Sequence, residues 1–234
     1  MSEMDLEQQS QQYKQGWEEL YGSTKDNIWG TAPVGFLNEF LGYAAPHLAS
    51  YGDRLKVLDA GTGEGRNLST LLKLGGSLYA CDASPSAIEK ISPNVKSKLS
   101  ATTCDLSNLP FENAFFHFVF LCDVFETILN PEDVLKEIHR VLEPGGIFLC
   151  NIPDMEEHIA GIDMVPLEDS GGFLYRNRYY YHFYPAQTAA EMIQAGGFEI
   201  LARGAREWEE EAHPKYRPEK HTHRSQVFLA RKVN

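Results

Sequence analysis

Val57-Leu58-Asp59-Ala60-Gly61-Thr62-Gly63-Glu64-Gly65-Arg66-Asn67-Leu68 is the stretch whose reading decides the fold. An apolar run, three alternating glycines and a return to leucines read as a buried strand, a glycine-rich turn and a helix start. Glycine lets the backbone pass close to a ligand. The spacing is G-x-G-x-G. Arg66 stands where the dinucleotide fingerprint G-x-G-x-x-G has its third glycine, which weakens an NAD reading. Leu68, Leu71 and Leu72 supply the apolar face of the helix that follows.

Working outward, Leu78-Tyr79-Ala80-Cys81-Asp82 is a short apolar run ending in an acid twenty-one positions after Gly61. A carboxylate there can accept hydrogen bonds from both hydroxyls of a ribose. Ser84-Pro85 is a helix start, serine as N-cap and proline in the first turn. Thr102-Thr103-Cys104-Asp105-Leu106 ends a third strand. The run Phe115 to Cys122, FFHFVFLC, is too apolar for a one-sided strand and fits a central strand buried on both faces. Asn130-Pro131-Glu132-Asp133 then predicts a helix with Asn130 as cap, Asp133 completing a capping box and Glu132 paired with Lys136. Val134, Ile138 and Val141 form its apolar stripe, and Glu143-Pro144-Gly145-Gly146 stops it before the strand Ile147 to Cys150.

The glycine run resembles motif I of the class I S-adenosylmethionine (SAM)-dependent methyltransferases, an acid followed by G-x-G-x-G. His139 to Cys150, HRVLEPGGIFLC, resembles the R-V-L-x-P-G-G turn of members acting mostly on small molecules. The resemblance covers Leu55 to Asn151 and extends weakly to the C-terminus. It implies an α/β, Rossmann-like fold with a mostly parallel seven-stranded sheet flanked by helices, and S-adenosyl-L-homocysteine (SAH) as product. It places SAM against Asp59, Gly61, Thr62, Gly63, Arg66 and Asn67 of the first loop, and against Asp82 and Ala83 after the second strand. Asp105 would meet the adenine amino group and Leu106 its ring, next to Cys104, with Cys122 facing the methyl group. Trp29 belongs to an N-terminal lid. Ile28-Trp29-Gly30-Thr31-Ala32-Pro33 together with Gly65-Arg66-Asn67 also looks like the tellurite-resistance and thiopurine-type methyltransferases, which modify soft sulfur, selenium or tellurium acceptors.

Composition bounds the rest. A chain of 234 residues holds one α/β domain with additions. The expected parts are a helical lid over 1–50, a SAM-binding core over 51–152, a substrate-cap insertion over 153–184, and a helix with an antiparallel strand pair over 185–234. No run approaches the ~18 apolar residues of a membrane span, and the acidic, glutamine-rich N-terminus carries no signal peptide, so a cytoplasmic protein with no membrane partner is expected. Cys81, Cys104, Cys122 and Cys150 fall at strand ends without C-x-x-C spacing, as free buried thiols do. The formal net charge of −12 opposes a nucleic-acid partner, since phosphate backbones are bound through Lys and Arg. It leaves a small-molecule methyl acceptor. The loop after strand four, Cys122-Asp123-Val124-Phe125, also lacks the [D/N]-P-P-[Y/F] sequence of many base-modifying enzymes.

Two regions are expected to choose the acceptor. Leu6, Tyr13, Trp17, Leu20 and Tyr21 share one face of an N-terminal helix, either as core or as lid. The insertion carries Phe173, Tyr175, Tyr179, Tyr180, Tyr181, Phe183 and Tyr184 with Arg176, Arg178 and His182, either as core or as acceptor wall. Methyl transfer needs no dedicated base. Where a proton must leave, Asp123, Glu126 and His182 are the candidate catalytic residues by position, with Asp123 alternatively a helix cap and His117 a satisfied core residue. Pro185 to Thr188 opens a helix ending at Gly196-Gly197, and Ser225 to Ala230 is the last strand. His213 to Arg224 reads as a polar hairpin loop in preference to a metal site built on its H-x-H. Two rivals remain: a catalytically silent SAM-binding regulator and an NAD-dependent oxidoreductase.

Overall fold

The computed structural model describes residues 3–167, 171–213 and 215–233, with side chains described from residue 7 onward. The Leu6 side chain and Pro214, both part of the sequence reading, lie outside the described residues. Helix α1 (Glu3–Gly22) and α2 (Leu37–Leu48) precede β1 (Lys56–Ala60). The chain then runs through α3 (Leu68–Leu71), β2 (Ser77–Asp82), α4 (Pro85–Lys90), α5 (Pro93–Lys96), β3 (Ser100–Thr103) and β4 (Phe116–Leu121). Next come α6 (Pro131–Val141), β5 (Leu142–Pro153), the short strands β6 (Met164–Pro166), β7 (Phe173–Tyr175) and β8 (Tyr179–Tyr181), α7 (Ala186–Ala195), β9 (Phe198–Glu210) and β10 (His221–Lys232).

Seven strands form one sheet in the order β3-β2-β1-β4-β5-β10-β9. The first five pair in parallel, while β10 runs antiparallel to both β5 and β9. Strand order reverses between β1 and β4, so the loops leaving their carboxyl ends diverge and leave a crevice there. Alternation from Phe118 to Leu121, with a register shift between Phe116 and Phe118 at the start of the strand, explains why β4 is apolar on both faces. Phe116, Val119 and Leu121 pack with Ile138 of α6 and Ile193 of α7, whereas Phe118 and Phe120 pack on the other face with Phe40 of α2 and Leu71 of α3. His117 is the satisfied residue expected, its Nδ1 accepting from the Lys56 N–H at 2.8 Å.

Local signals act largely as read, with four differences, one being that the Glu143 to Gly146 segment lies inside β5, which starts at Leu142 directly after α6. Ser84 caps α4 by accepting from the Ala87 N–H at 3.0 Å. Asn130 precedes α6 without a side-chain cap, and its carbonyl, not its amide, meets the Asp133 N–H. Lys136 pairs with Asp133 instead of Glu132, one turn of helix offering both partners. The last strand extends well beyond Ser225 to Ala230, because β9 and β10 pair from His221 opposite Glu210 to Lys232 opposite Phe198. β6, β7 and β8 form a separate antiparallel sheet beside α1.

Candidate functional site

The carboxyl ends of β1 to β4 open into a cavity of about 270 Å³ roofed by α1, β8 and the turn between β9 and β10. Its floor is the glycine loop. Gly61 (φ +71°) turns the chain so that its N–H and that of Thr62 both donate to the Cys81 carbonyl at 2.8 and 3.0 Å. A Cβ at Gly61 would lie 2.5 Å from Val124 Cγ2, and one at Gly63 would lie 2.9 Å from the Tyr21 hydroxyl. Only glycine satisfies both the backbone conformation and the contact. Asp82 ends β2 beside the loop, accepting from the Gly63 N–H at 2.8 Å on one oxygen and from the Ser84 N–H at 2.9 Å on the other. Burial raises its carboxyl above the ordinary range, and these N–H donors partly offset that. Asp105 is also buried in part, but Lys14 and Ser107 hold it below its ordinary range.

Of the expected cofactor residues, Gly61, Thr62, Gly63, Asp82, Ala83, Asp105, Leu106, Cys122 and Trp29 line this cavity. Two do not. Asp59 is buried beneath the loop, where the Thr62 hydroxyl donates to it at 2.7 Å, and burial pushes its carboxyl up to about 7. Cys104 packs into the core, its thiol against that of Cys81. Two more line it with their polar groups already engaged. The Asn67 amide oxygen accepts from the Val34 N–H at 3.0 Å. Arg66 is partly buried, its side chain 12% exposed, and bridges Asp123 and Glu210, each at 2.9 Å.

The candidate catalytic residues also separate. Asp123 is taken by Arg66 and by Asn151, which donates to it at 2.7 Å. Glu126 is 5% exposed, lines the cavity, and has one carboxyl oxygen without a partner among the described residues. Burial first, then the charges of Asp123 and Glu157, push it well above the ordinary carboxylate range. His182 does not line the cavity; its ring stacks on Tyr184 at 4.2 Å and bonds the Tyr180 hydroxyl, and only its backbone N–H reaches the Glu126 carbonyl.

The roof holds what sequence reading missed. His213 to Arg224 is not a polar loop: His213, Tyr216 and Arg217 are buried and, with His221 and His223, face the cavity. The turn folds inward because the His213 Nδ1–H donates to the Ile28 carbonyl at 2.8 Å and Tyr216 packs on Trp17, Trp29, Tyr175 and Tyr179. Burial pushes His221 down to about 4, which leaves it neutral at pH 7. No group of His, Cys, Asp and Glu able to hold a metal occurs among the described residues. Glu64, the variable residue before the third glycine, was also missed. It is buried and accepts from the Ile28 and Trp29 N–H groups at 2.6 and 3.2 Å and from Lys90 at 2.8 Å, which fastens the roof to the glycine loop. A tyrosine and an arginine inside an otherwise polar run were the signal available for Tyr216 and Arg217.

The comparisons with known proteins agree with this geometry. Residues 58–150 match the Methyltransferase domain family. A tRNA 5-carboxymethoxyuridine methyltransferase of Escherichia coli is 25% identical over 55% of this chain and 49% of its own length, so the chain spans about half of that relative. The ubiquinone biosynthesis O-methyltransferase of Maricaulis maris is 23% identical over 70% of this chain and 67% of its own. Among solved structures, the Burkholderia thailandensis 1,6-didemethyltoxoflavin-N1-methyltransferase, with 1,6-didemethyltoxoflavin and SAH bound, superimposes with a TM-score of 0.70 at 18% identity, covering 98% of this chain and 91% of that one. With the sheet order, the glycine loop and Asp82 in place, residues 58–150 match a methyltransferase domain, and the chain has the fold of SAM-dependent methyltransferases of known structure.

Proposed function

We propose that this protein binds SAM across the carboxyl ends of β1 to β3 and transfers its methyl group to a small-molecule acceptor held under the aromatic roof, releasing SAH. The observation that carries the reading is Asp82, whose two oxygens are oriented by the Gly63 and Ser84 N–H groups at the edge of the cavity. Each oxygen keeps lone-pair capacity for a ribose hydroxyl. The residues fit the cofactor: Gly63 leaves open the space a Cβ would fill beneath Tyr21, Leu106 offers an apolar surface, and Asp105 offers an acceptor. SAM supplies a methyl group activated by the neighbouring sulfonium charge. The chain's own part is to position, shield and move a proton. Trp17, Trp29, Tyr181 and Tyr216 exclude water and fix the acceptor's angle of approach, and in-line alignment supplies ~7 kcal/mol or more in well-oriented systems. Where the acceptor must lose a proton, Glu126 is the candidate, a cavity-lining residue with one carboxyl oxygen unpartnered among the described residues, whereas Arg66 occupies Asp123.

The cavity's depth beneath the roof and the charge of −12 support a small acceptor over a polyanion. Calorimetric titration with SAM, SAH and NADH, on the native chain and on Asp82→Ala, tests the cofactor. Methyl transfer from isotope-labelled SAM into a small-molecule extract and into bulk tRNA tests the acceptor. SAM and SAH binding lost in Asp82→Ala, with label entering the small-molecule fraction, is the expected result. Binding of NADH alone overturns the reading, and label entering tRNA alone overturns the acceptor class.

A further inference from the structure

Two buried side-chain polar atoms lack a hydrogen-bond partner among the described residues, Glu126 Oε2 and Arg217 Nη2, and both residues line the cavity just described. Burying polar groups unpaired costs free energy, most of all for a charge, so two on one cavity mark where a ligand's polar groups belong. Arg217 is 9% exposed, and its turn is locked by reciprocal 2.6 Å bonds between the backbones of His213 and Arg217. Its guanidinium lies 4.9 Å from the Tyr175 ring centre and 5.7 Å from that of Tyr216, so aromatic rings position the group.

The other cations lining the cavity are already neutralised. Arg66 is shared by Asp123 and Glu210, and Lys14 is held by Asp105. No ion pair among the described residues involves Arg217. We propose that the methyl acceptor is an aromatic carboxylate, its carboxylate bound by Arg217 and its ring lying against Tyr181 and Tyr216. The planar guanidinium edge matches a carboxylate, and a buried, charge-assisted pair is the strong kind. Glu126, the other residue with an unpaired atom, lines the same cavity and would meet the acceptor's hydroxyl or amino group. This inference rests on the methyl-transfer reading of the same cavity.

The test titrates SAH-saturated protein with 2-, 3- and 4-hydroxybenzoate and with their methyl esters, by calorimetry and by Trp17 and Trp29 fluorescence. At least one acid should bind about 30-fold or more tighter than its ester, because losing one partner of a buried charge pair costs that much or more. The preference should vanish in Arg217→Met and return in part in Arg217→Lys, with SAH affinity unchanged in both. The lysine variant and a melting curve for each protein separate a lost contact from a lost fold. Acids and esters binding alike, no acid binding to SAH-loaded protein, or a preference that survives Arg217→Met would each overturn the inference while leaving methyl transfer intact. Failure of the native protein to bind SAH would overturn both, and is read independently in the first titration.

Discussion

The floor of the cavity draws its groups from one continuous stretch between Gly61 and Asp105, whereas the roof assembles Trp17, Trp29, Tyr181 and Tyr216 from segments spread over the whole chain. In the floor each strand end delivers its residue through local rules: a positive φ at Gly61, an N-cap at Ser84, an acid at the last position of β2. In the roof the determining contacts are long-range, such as His213 on Ile28 and Glu64 on Trp29. A shared chemistry can therefore be kept in the floor while the roof varies with the acceptor. The comparison can be broken most sharply at Arg66, which rises from the floor to meet Glu210 at the end of β9. Arg66→Met leaves Glu210 and Asp123 without their cation, and removing one partner of a buried pair costs about 3–5 kcal/mol. Asp123 retains some solvent access, so about 3 kcal/mol is expected by urea denaturation. A loss below about 1 kcal/mol would mean that roof and floor are not joined through this residue.

Asp82→Ala should strike the floor alone. Two charge-assisted hydrogen bonds to a ribose, at about 1.5–3 kcal/mol each, predict a loss of about 100-fold or more in SAH affinity by calorimetry. Undiminished affinity would remove the observation on which the cofactor reading stands.

Tyr216→Phe should do the converse. The Tyr216 hydroxyl bonds that of Tyr181 at 2.5 Å inside the roof, so its removal costs about 1 kcal/mol, or roughly 2–4 °C in melting temperature for a chain of this size. SAH affinity should stay within about twofold, since a change below 0.4 kcal/mol is what a group remote from the ribose site delivers. Equal losses of SAH affinity in Tyr216→Phe and Asp82→Ala would erase the distinction between the two halves.

The same division governs what could be read from the chain. Periods of two in β4 and of 3.6 in α6, glycines at turns and Ser84-Pro85 at a helix start are local, and they located the strands and helices; the mostly parallel seven-stranded sheet and the expected floor residues came with the resemblance of the glycine run to motif I. Arg66 lines the cavity as expected of a motif position, but such a position specifies where a backbone goes, not which partner its side chain finds, and Glu210 lies far away in sequence. His182 was misread because alternation along β8 and the residues after it places rings on faces without saying which face meets the cavity. Tyr216 and Arg217 escaped notice because a polar run usually lies in solvent, and nothing nearby in sequence records that Trp17, Trp29 and Tyr175 are waiting to bury them.

A last effect, read in stability alone, concerns Asp59, which the floor buries instead of presenting. Its carboxyl titrates near 7 in the fold against an ordinary value of 3.8, with burial as the main cause, opposed by the Thr62 hydroxyl and by Arg66 and reinforced by Asp82. Between these values the folded chain holds a proton that the unfolded chain has released. The folded state therefore binds more protons, and stability falls as pH rises. The contribution is complete below about pH 4 and lost above about pH 7. Asp59→Asn keeps an oxygen for Thr62 but has no proton to lose. Melting temperatures of the two proteins from pH 4.5 to 8 should thus diverge, the variant gaining on the native chain with each step upward. Parallel profiles would mean that water reaches Asp59 or that Arg66 stabilises its charge, and the floor would then be a more open, more polar structure than the packing around β1 implies.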